Sequence, residues 1–345
     1  MPFRIALAHH QEDALNVLRQ ILAPQTDYAL AWIAQEGEEA RRKCRLDGPD
    51  ILLVDLALAG PDGARLVCDI MKETPCAILL LSDAIAKNAG KVFEAMGCGA
   101  LDAITTPVLN KSGSVAGADA LLKKLATISK LLGNASPAAP KAQPKTSRQT
   151  DRLPPLVAIG SSTGGPKALA TILSALPGNL AAALVVCQHV DLQFAQGLAQ
   201  WLDSQTPLTV TLAREGMRPR PGVVLVAGTN DHLVLGPDRT VHYTTHPREY
   251  PYRPSVNTFF QSLREHWPGR DLAVLLTGMG RDGAEGLASL RKAGWHTIVQ
   301  DEKTSIVYGM PAAAAELGAA VEILPLDRIA GAILKKLPRS EGKKV

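Results

Sequence analysis

Ser162, His189 and Asp282 have the types and the placement to act together on an electrophilic carbon. Each stands at or just past the end of an apolar run: Ser162 after 156–159, His189 after 183–186, Asp282 beyond 272–276. An alcohol, an imidazole and a carboxylate are the parts of a relay in which a base activates a nucleophile and an acid orients the base. That chemistry is hydrolysis through an acyl intermediate.

Uninterrupted apolar runs read as parallel strands covered on both faces, and open α/β sheets bind ligands at the carboxyl ends of their strands. Gly160-Ser161-Ser162-Thr163-Gly164 fits G-x-S-x-G between such a strand and a helix that Pro166 can begin. Flanking glycines permit a tight bend, and the helix N-terminus adds positive partial charge where an oxyanion would form. In 277–283, glycines around Met279 and Asp282 leave main-chain N–H groups uncovered, and a helix over 284–293 is predicted to follow. Taken singly, each feature has a plainer reading: a turn or anion-binding loop at Ser162, a structural imidazole at His189, a helix N-cap at Asp282. His232, His242, His246, His266 and His296 fall in polar stretches or loops and read as solvated. The chain order Ser, His, Asp differs from that of α/β-hydrolases, which argues against that scaffold but not against the relay. A nucleotide-binding loop fits poorly, because Gly165-Pro166-Lys167-Ala168 lacks the hydroxyl that would hold magnesium.

At 345 residues the chain has room for two domains. It is 46% hydrophobic and 20% charged with a net charge of +4, too mildly basic to argue for nucleic acid or membrane partners. Part of the excess lies in stretches that read as solvated tails: Lys141, Lys145, Arg148 and Arg152, then Lys335, Lys336, Arg339, Lys343 and Lys344. No uncharged run is long enough to span a bilayer and no secretory signal precedes Phe3, so a cytoplasmic protein without membrane insertion is expected. The five cysteines are odd in number and show no C-x-x-C pair, and four of them, inside apolar or helical stretches, read as reduced, packed thiols. Short apolar runs at 3–8, 29–33, 51–54, 77–81 and 101–104 alternate with helical spacing such as Ala14, Leu15, Leu18, Ile21 and Leu22, and a helix over 119–132 follows. The predicted fold class is α/β: a flavodoxin-like domain over 1–133, a Pro-, Ala- and Lys-rich linker over 134–152, and a doubly wound, mostly parallel domain over 153–345.

The segments 158–165, Gln188-His189, Arg253-Pro254-Ser255-Val256, 275–283 and Tyr308-Gly309-Met310-Pro311 together resemble the chemotaxis protein-glutamate methylesterases, the CheB family. The resemblance covers both domains and implies a response-regulator receiver joined to a methylesterase domain. It implies Ser162 as nucleophile, His189 as general base, Asp282 as the orienting carboxylate and the Met279 N–H in the oxyanion hole, with no metal or cofactor for catalysis. It further implies γ-glutamyl methyl esters on the cytoplasmic domain of methyl-accepting chemoreceptors as substrate, receptor glutamine deamidation as a second activity, and a histidine kinase as partner.

The receiver departs from its pattern. Asp55 and Ser82 match the phosphoacceptor and the hydroxyl residue of the family, but His9-His10 replace the usual acid pair, Thr106 the usual lysine before Pro107, and Ala103 the usual aromatic. Magnesium prefers oxygen ligands, so its binding is not expected, and Asp55 should accept phosphate slowly or not at all. Either the pocket is altered yet still phosphorylated, or this is a pseudo-receiver that gates the esterase by packing or partner binding; the second is the expectation. Residues 92–97 and 100–103, with Thr106-Pro107, resemble the branch serving chemosensory-like systems outside flagellar control. A reading from another class is a non-catalytic adaptor that binds receptors or a kinase through this domain, against which the intact trio of Ser162, His189 and Asp282 argues.

Overall fold

The computed structural model describes residues 2–58, 63–83, 85–110, 115–133, 153–248, 250 and 252–337. The chain forms two compact units, Met1–Ser136 and Pro137–Val345. The linker over 134–152, with Lys141, Lys145, Arg148 and Arg152, lies outside the described residues, as do Pro61, Asp62, Arg339, Lys343 and Lys344.

The first unit runs β1 (Phe3–Ala8), α1 (Glu12–Leu22), β2 (Tyr28–Ala34), α2 (Gly37–Leu46), β3 (Ile51–Asp55), α3 (Gly63–Glu73), β4 (Ala77–Ser82), α4 (Ile85–Cys98), β5 (Asp102–Thr105), a short hairpin β6 (Val108–Leu109) and β7 (Val115–Ala116), and α5 (Ala118–Gly133). The parallel sheet has the order β2-β1-β3-β4-β5, the flavodoxin-like order. Every residue of β3 and β4 is buried, which is why both read as unbroken apolar runs. α1 buries Ala14, Leu15, Leu18, Ile21 and Leu22 on one stripe, the spacing of an amphipathic helix. The hairpin has no counterpart among the elements expected from the sequence.

Two of the five cysteines depart from the sequence reading. Cys68 on α3 and Cys98 at the end of α4 form a disulfide with Cα atoms 4.8 Å apart. Cys44, Cys76 and Cys187 are free thiols, as the sequence reading expects, with Cys44 and Cys187 buried and the Cys44 and Cys76 thiols in contact. Helices α3 and α4 pack side by side, so residues separated by 30 positions meet, which spacing along the chain cannot reveal.

The second unit continues with β8 (Leu156–Ser161), α6 (Gly165–Ser174), β9 (Ala183–Gln188), α7 (Leu192–Gln205), β10 (Thr209–Leu212), β11 (Val223–Val226), a hairpin β12 (His232–Leu235) and β13 (Val241–Thr244), α8 (Val256–His266), β14 (Leu272–Leu275), α9 (Ala284–Lys292), β15 (His296–Gln300), α10 (Met310–Glu316), β16 (Glu322–Leu324) and α11 (Leu326–Lys336). Its seven strands are ordered β10-β11-β9-β8-β14-β15-β16, and all pair in parallel. From β8 the chain winds outward through β9, then returns to the other side at β14. That reversal puts a topological switch point at the carboxyl ends of β8 and β14, the place where open α/β sheets bind ligands. Beneath it Phe259, Phe260, Leu263, Trp267 and Trp295 fill one face of the sheet, each such buried side chain contributing roughly 1.5–3 kcal/mol of transfer free energy. The covered sheet is what makes the strand ends rigid enough to aim side chains.

Candidate active site

The register of β8 and β9 ends at Ser161 opposite Gln188, so Ser162 and His189 leave the sheet on neighbouring strands. Gln188 then ties them together. Its Oε1 accepts the Ser161 hydroxyl at 2.6 Å, and its amide donates to the carbonyls of Ser162 at 2.9 Å and His189 at 3.0 Å. A Cβ on Gly165 would sit 1.9 Å from that Oε1, so glycine there is what lets the helix start lie against the knot. Sequence reasoning missed Gln188 as a functional residue, although an amide closing an apolar strand directly before His189 was a usable signal.

Asp282 lies in the loop between β14 and α9, but it does not cap α9; the N-cap of that helix is Gly283 and no side chain bonds there. It is instead received by the N-terminus of α8. Oδ1 accepts the Ser255 hydroxyl at 2.9 Å and the Asn257 N–H at 3.0 Å, and Oδ2 accepts the Val256 N–H at 2.6 Å. The remaining bond at Oδ2 comes from His189 Nε2 at 2.8 Å. Burial by itself pushes the Asp282 carboxyl upward, but the His189 hydrogen bond and charge, with the Asn257 and Val256 N–H groups, hold it below the ordinary carboxylate range. Four donors keep this carboxylate ionised at a site that is nearly dry.

With Nε2 committed to Asp282, the base function falls to His189 Nδ1, which is buried and without a hydrogen-bond partner. This reverses the serine-protease arrangement, in which the acid takes Nδ1 and the serine Nε2. The Ser162–His189 hydrogen bond is therefore not closed in the structure, although both residues stand at one edge. Such bonds commonly tighten only with substrate present. Tyr252 stacks on the imidazole with ring centres 4.6 Å apart and planes 5° from parallel, a contact between distant segments that leaves no local pattern in the sequence.

The loop carrying Met279 is held from below. Thr277 donates its N–H to Gln300 Oε1, its hydroxyl accepts the Val307 N–H at 2.9 Å, and its carbonyl accepts the Ser162 N–H at 3.0 Å. The Gly278 N–H bonds Val307 O, and Gly278 O accepts from Gly309 and Met310. The Ser162 N–H is thus spent inside the fold, whereas the Met279 N–H donates to no acceptor among the described residues.

At the first unit's sheet edge, His9, Asp55, Ser82 and Thr106 are all buried. His10 Nδ1 lies 2.5 Å from Asp55 Oδ2, and Asp55 Oδ1 accepts the Ala57 N–H at 3.0 Å. His9 accepts the Gln11 N–H on Nδ1, which leaves the proton of the neutral ring on Nε2, 3.8 Å from Asp55 Oδ2 and unpartnered. Burial keeps that imidazole neutral, lowering its pKa against the pull of Asp55. His9, His10 and Asp55 are close enough together to surround an ion, but they supply one carboxylate and two nitrogens. A hard magnesium ion asks for oxygens, and His9 faces Asp55 with a donor, so these residues do not fit it.

A model of the CheB methylesterase family matches residues 157–333, and one of the response regulator receiver domain matches residues 5–113. A protein-glutamate methylesterase/protein-glutamine glutaminase of Burkholderia lata is 51% identical over 92% of this chain and 94% of its own length. One of Cupriavidus metallidurans is 50% identical over 95% of this chain and 96% of its own. Among solved structures, the CheB methylesterase catalytic domain of Thermotoga maritima is 35% identical with a TM-score of 0.51, covering 53% of this chain and 99% of that one.

Proposed function

Because the chain belongs to the CheB methylesterase family and is a protein-glutamate methylesterase with an N-terminal receiver, we propose that Ser162, His189 and Asp282 are its nucleophile, general base and orienting carboxylate. One observation carries the assignment: His189 is held by Asp282 through Nε2 while its buried Nδ1 is left open at the edge where Ser162 emerges.

In this reading Ser162 Oγ attacks the ester carbonyl as His189 Nδ1 takes its proton. The carbonyl oxygen becomes an oxyanion that accepts the Met279 N–H, a donor whose removal typically costs roughly 3–4 kcal/mol of transition-state stabilisation. The imidazolium, stabilised by ionised Asp282, returns the proton to the departing methoxide and methanol leaves. Water, deprotonated by the same nitrogen, then releases the glutamate and frees Ser162. A glutamine side chain would follow the same path with ammonia as leaving group, in keeping with the second activity in the relatives' names. No metal or cofactor enters any step.

The substrate is taken to be the cytoplasmic domain of a methyl-accepting chemoreceptor, with a histidine kinase as partner of the receiver and the cytoplasm as the place of action. No helix among the described residues is long and apolar enough to cross a membrane. The receiver acts as a pseudo-receiver, since His9 and His10 stand beside Asp55 in place of the family's acid pair and Thr106 in place of its lysine, which leaves phosphoryl charge poorly managed. The non-catalytic adaptor finds no support in this site. Ser162→Ala should abolish methanol release from methylated receptor; near-normal release by that variant would remove Ser162 from the mechanism.

A further inference from the structure

The sequence pattern places His232 among solvated residues, yet it is fully buried at the start of β12. The polar neighbours Asn230 and Asp231 disguise it. Both of its ring nitrogens are used, and their roles agree with one neutral tautomer. Nδ1 accepts the Ser255 N–H at 3.1 Å, and Nε2–H donates to the Pro247 carbonyl at 3.0 Å. The ring therefore joins Pro247 and Ser255, the two ends of one short segment, with Tyr250 packed edge-on at 6.2 Å. Two residues of that segment face the catalytic groups: Tyr252 stacks on His189, and Ser255 donates its hydroxyl to Asp282 Oδ1. Ser255 also caps α8 by accepting the Thr258 N–H, and the next two N–H groups of that turn hold Asp282.

We propose that His232 is a positioning residue for the esterase: by fixing the Ser255 main chain it sets the turn that aims Asp282, and through it His189. The chain of contacts is His232, Ser255, Asp282, His189, each link a hydrogen bond. His232 touches no reacting atom. Its effect is on geometry, and catalytic geometry is sensitive at the scale of about 1 Å, where losses on the order of a hundredfold arise. The proposal rests on the assignment of Ser162, His189 and Asp282 given above.

Two substitutions separate the two nitrogens. Asparagine places an amide oxygen near the position of Nδ1 and keeps an acceptor for the Ser255 N–H, while glutamine reaches toward the position of Nε2 and offers nothing at Nδ1. Full-length His232→Asn and His232→Gln would be assayed for methanol release from methylated receptor, with competent enzyme counted by fluorophosphonate labelling of Ser162. The expected result is kcat per labelled serine reduced roughly tenfold or more in His232→Gln with KM little changed, and recovery to within about threefold of wild type in His232→Asn. Equal kcat per labelled serine in both variants and wild type would overturn the proposal. So would failure of both to give folded protein by far-UV circular dichroism, which would make His232 a folding residue. Ser162→Ala run alongside tests the underlying assignment by itself, because turnover by that variant removes the relay whatever His232 does.

Discussion

Gly278→Ala adds one methyl group to the active site and removes no functional atom. Its Cβ would lie 2.3 Å from Met310 Sδ, 2.7 Å from Ser162 Cβ and 3.1 Å from the Ser162 nitrogen. Ordinary carbon contacts are about 3.5–4.0 Å, so the separation from Ser162 is short by about 1 Å. Met310 is a flexible thioether and can yield. The loop itself is pinned, since Gly278 donates to Val307 O and accepts from both Gly309 and Met310. Part of the strain must then fall on Ser162. A shift of about 1 Å between reacting groups costs on the order of a hundredfold, or about 3 kcal/mol of activation free energy. Overpacking should cost a further 1–3 kcal/mol or so of stability. The assay is methanol release by full-length protein at saturating methylated receptor, with denaturant unfolding in parallel. Gly331→Ala is the control: nothing lies within 4 Å of its added Cβ on α11, so activity should hold and stability rise by roughly 0.5–1 kcal/mol. A Gly278→Ala enzyme that folds and turns over within about threefold of wild type would refute the claim that the serine and this loop are locked together.

Asp282→Asn should lower kcat by about 10⁴ as in other triads, and it leaves one backbone N–H of α8 without an acceptor in either amide orientation. Because the folded Asp282 carboxyl lies below its ordinary range, it stabilises the fold at pH above that range and loses this contribution as pH falls through the folded value; acid unfolding titrations should show the asparagine variant lacking that component. Asp271 is the opposite case. Burial raises its carboxyl despite bonds from Trp267 Nε1 and the Leu156 N–H, so wild type loses stability as pH rises through that value. Asp271→Asn should gain on wild type as pH rises in equilibrium unfolding, and a gain that grows on acidification would contradict the assigned cause. For the receiver, intact-mass analysis after acetyl phosphate treatment should show little phosphoryl addition at Asp55 with or without magnesium; robust magnesium-dependent addition would end the pseudo-receiver reading.

Much of this was visible in the amino-acid order because burial on both faces of a sheet demands unbroken apolar strands. The expected run at 3–8 coincides with β1, and those at 51–54 and 77–81 fall within β3 and β4, each one residue short. The residues following such runs, Ser162 and His189, had to emerge at a strand end, and Gly160 and Gly164 marked the bend. The hairpin β6–β7 left no trace because two-residue strands carry no period.

Local order along the chain determined which side chains could react and at which end of a strand each would stand, since those follow from hydrophobic burial and turn chemistry over a few residues. Tertiary structure alone decided their partners. The sheet order set β8 between β9 and β14, α8 rather than α9 supplied the N–H groups for Asp282, and His189 took the acid on Nε2 instead of Nδ1. The same long-range packing turned a histidine among polar neighbours into a buried staple and brought Cys68 to Cys98. Hydrogen bonds of that kind depend on where elements distant in sequence come to rest, and no window of neighbouring residues contains that information.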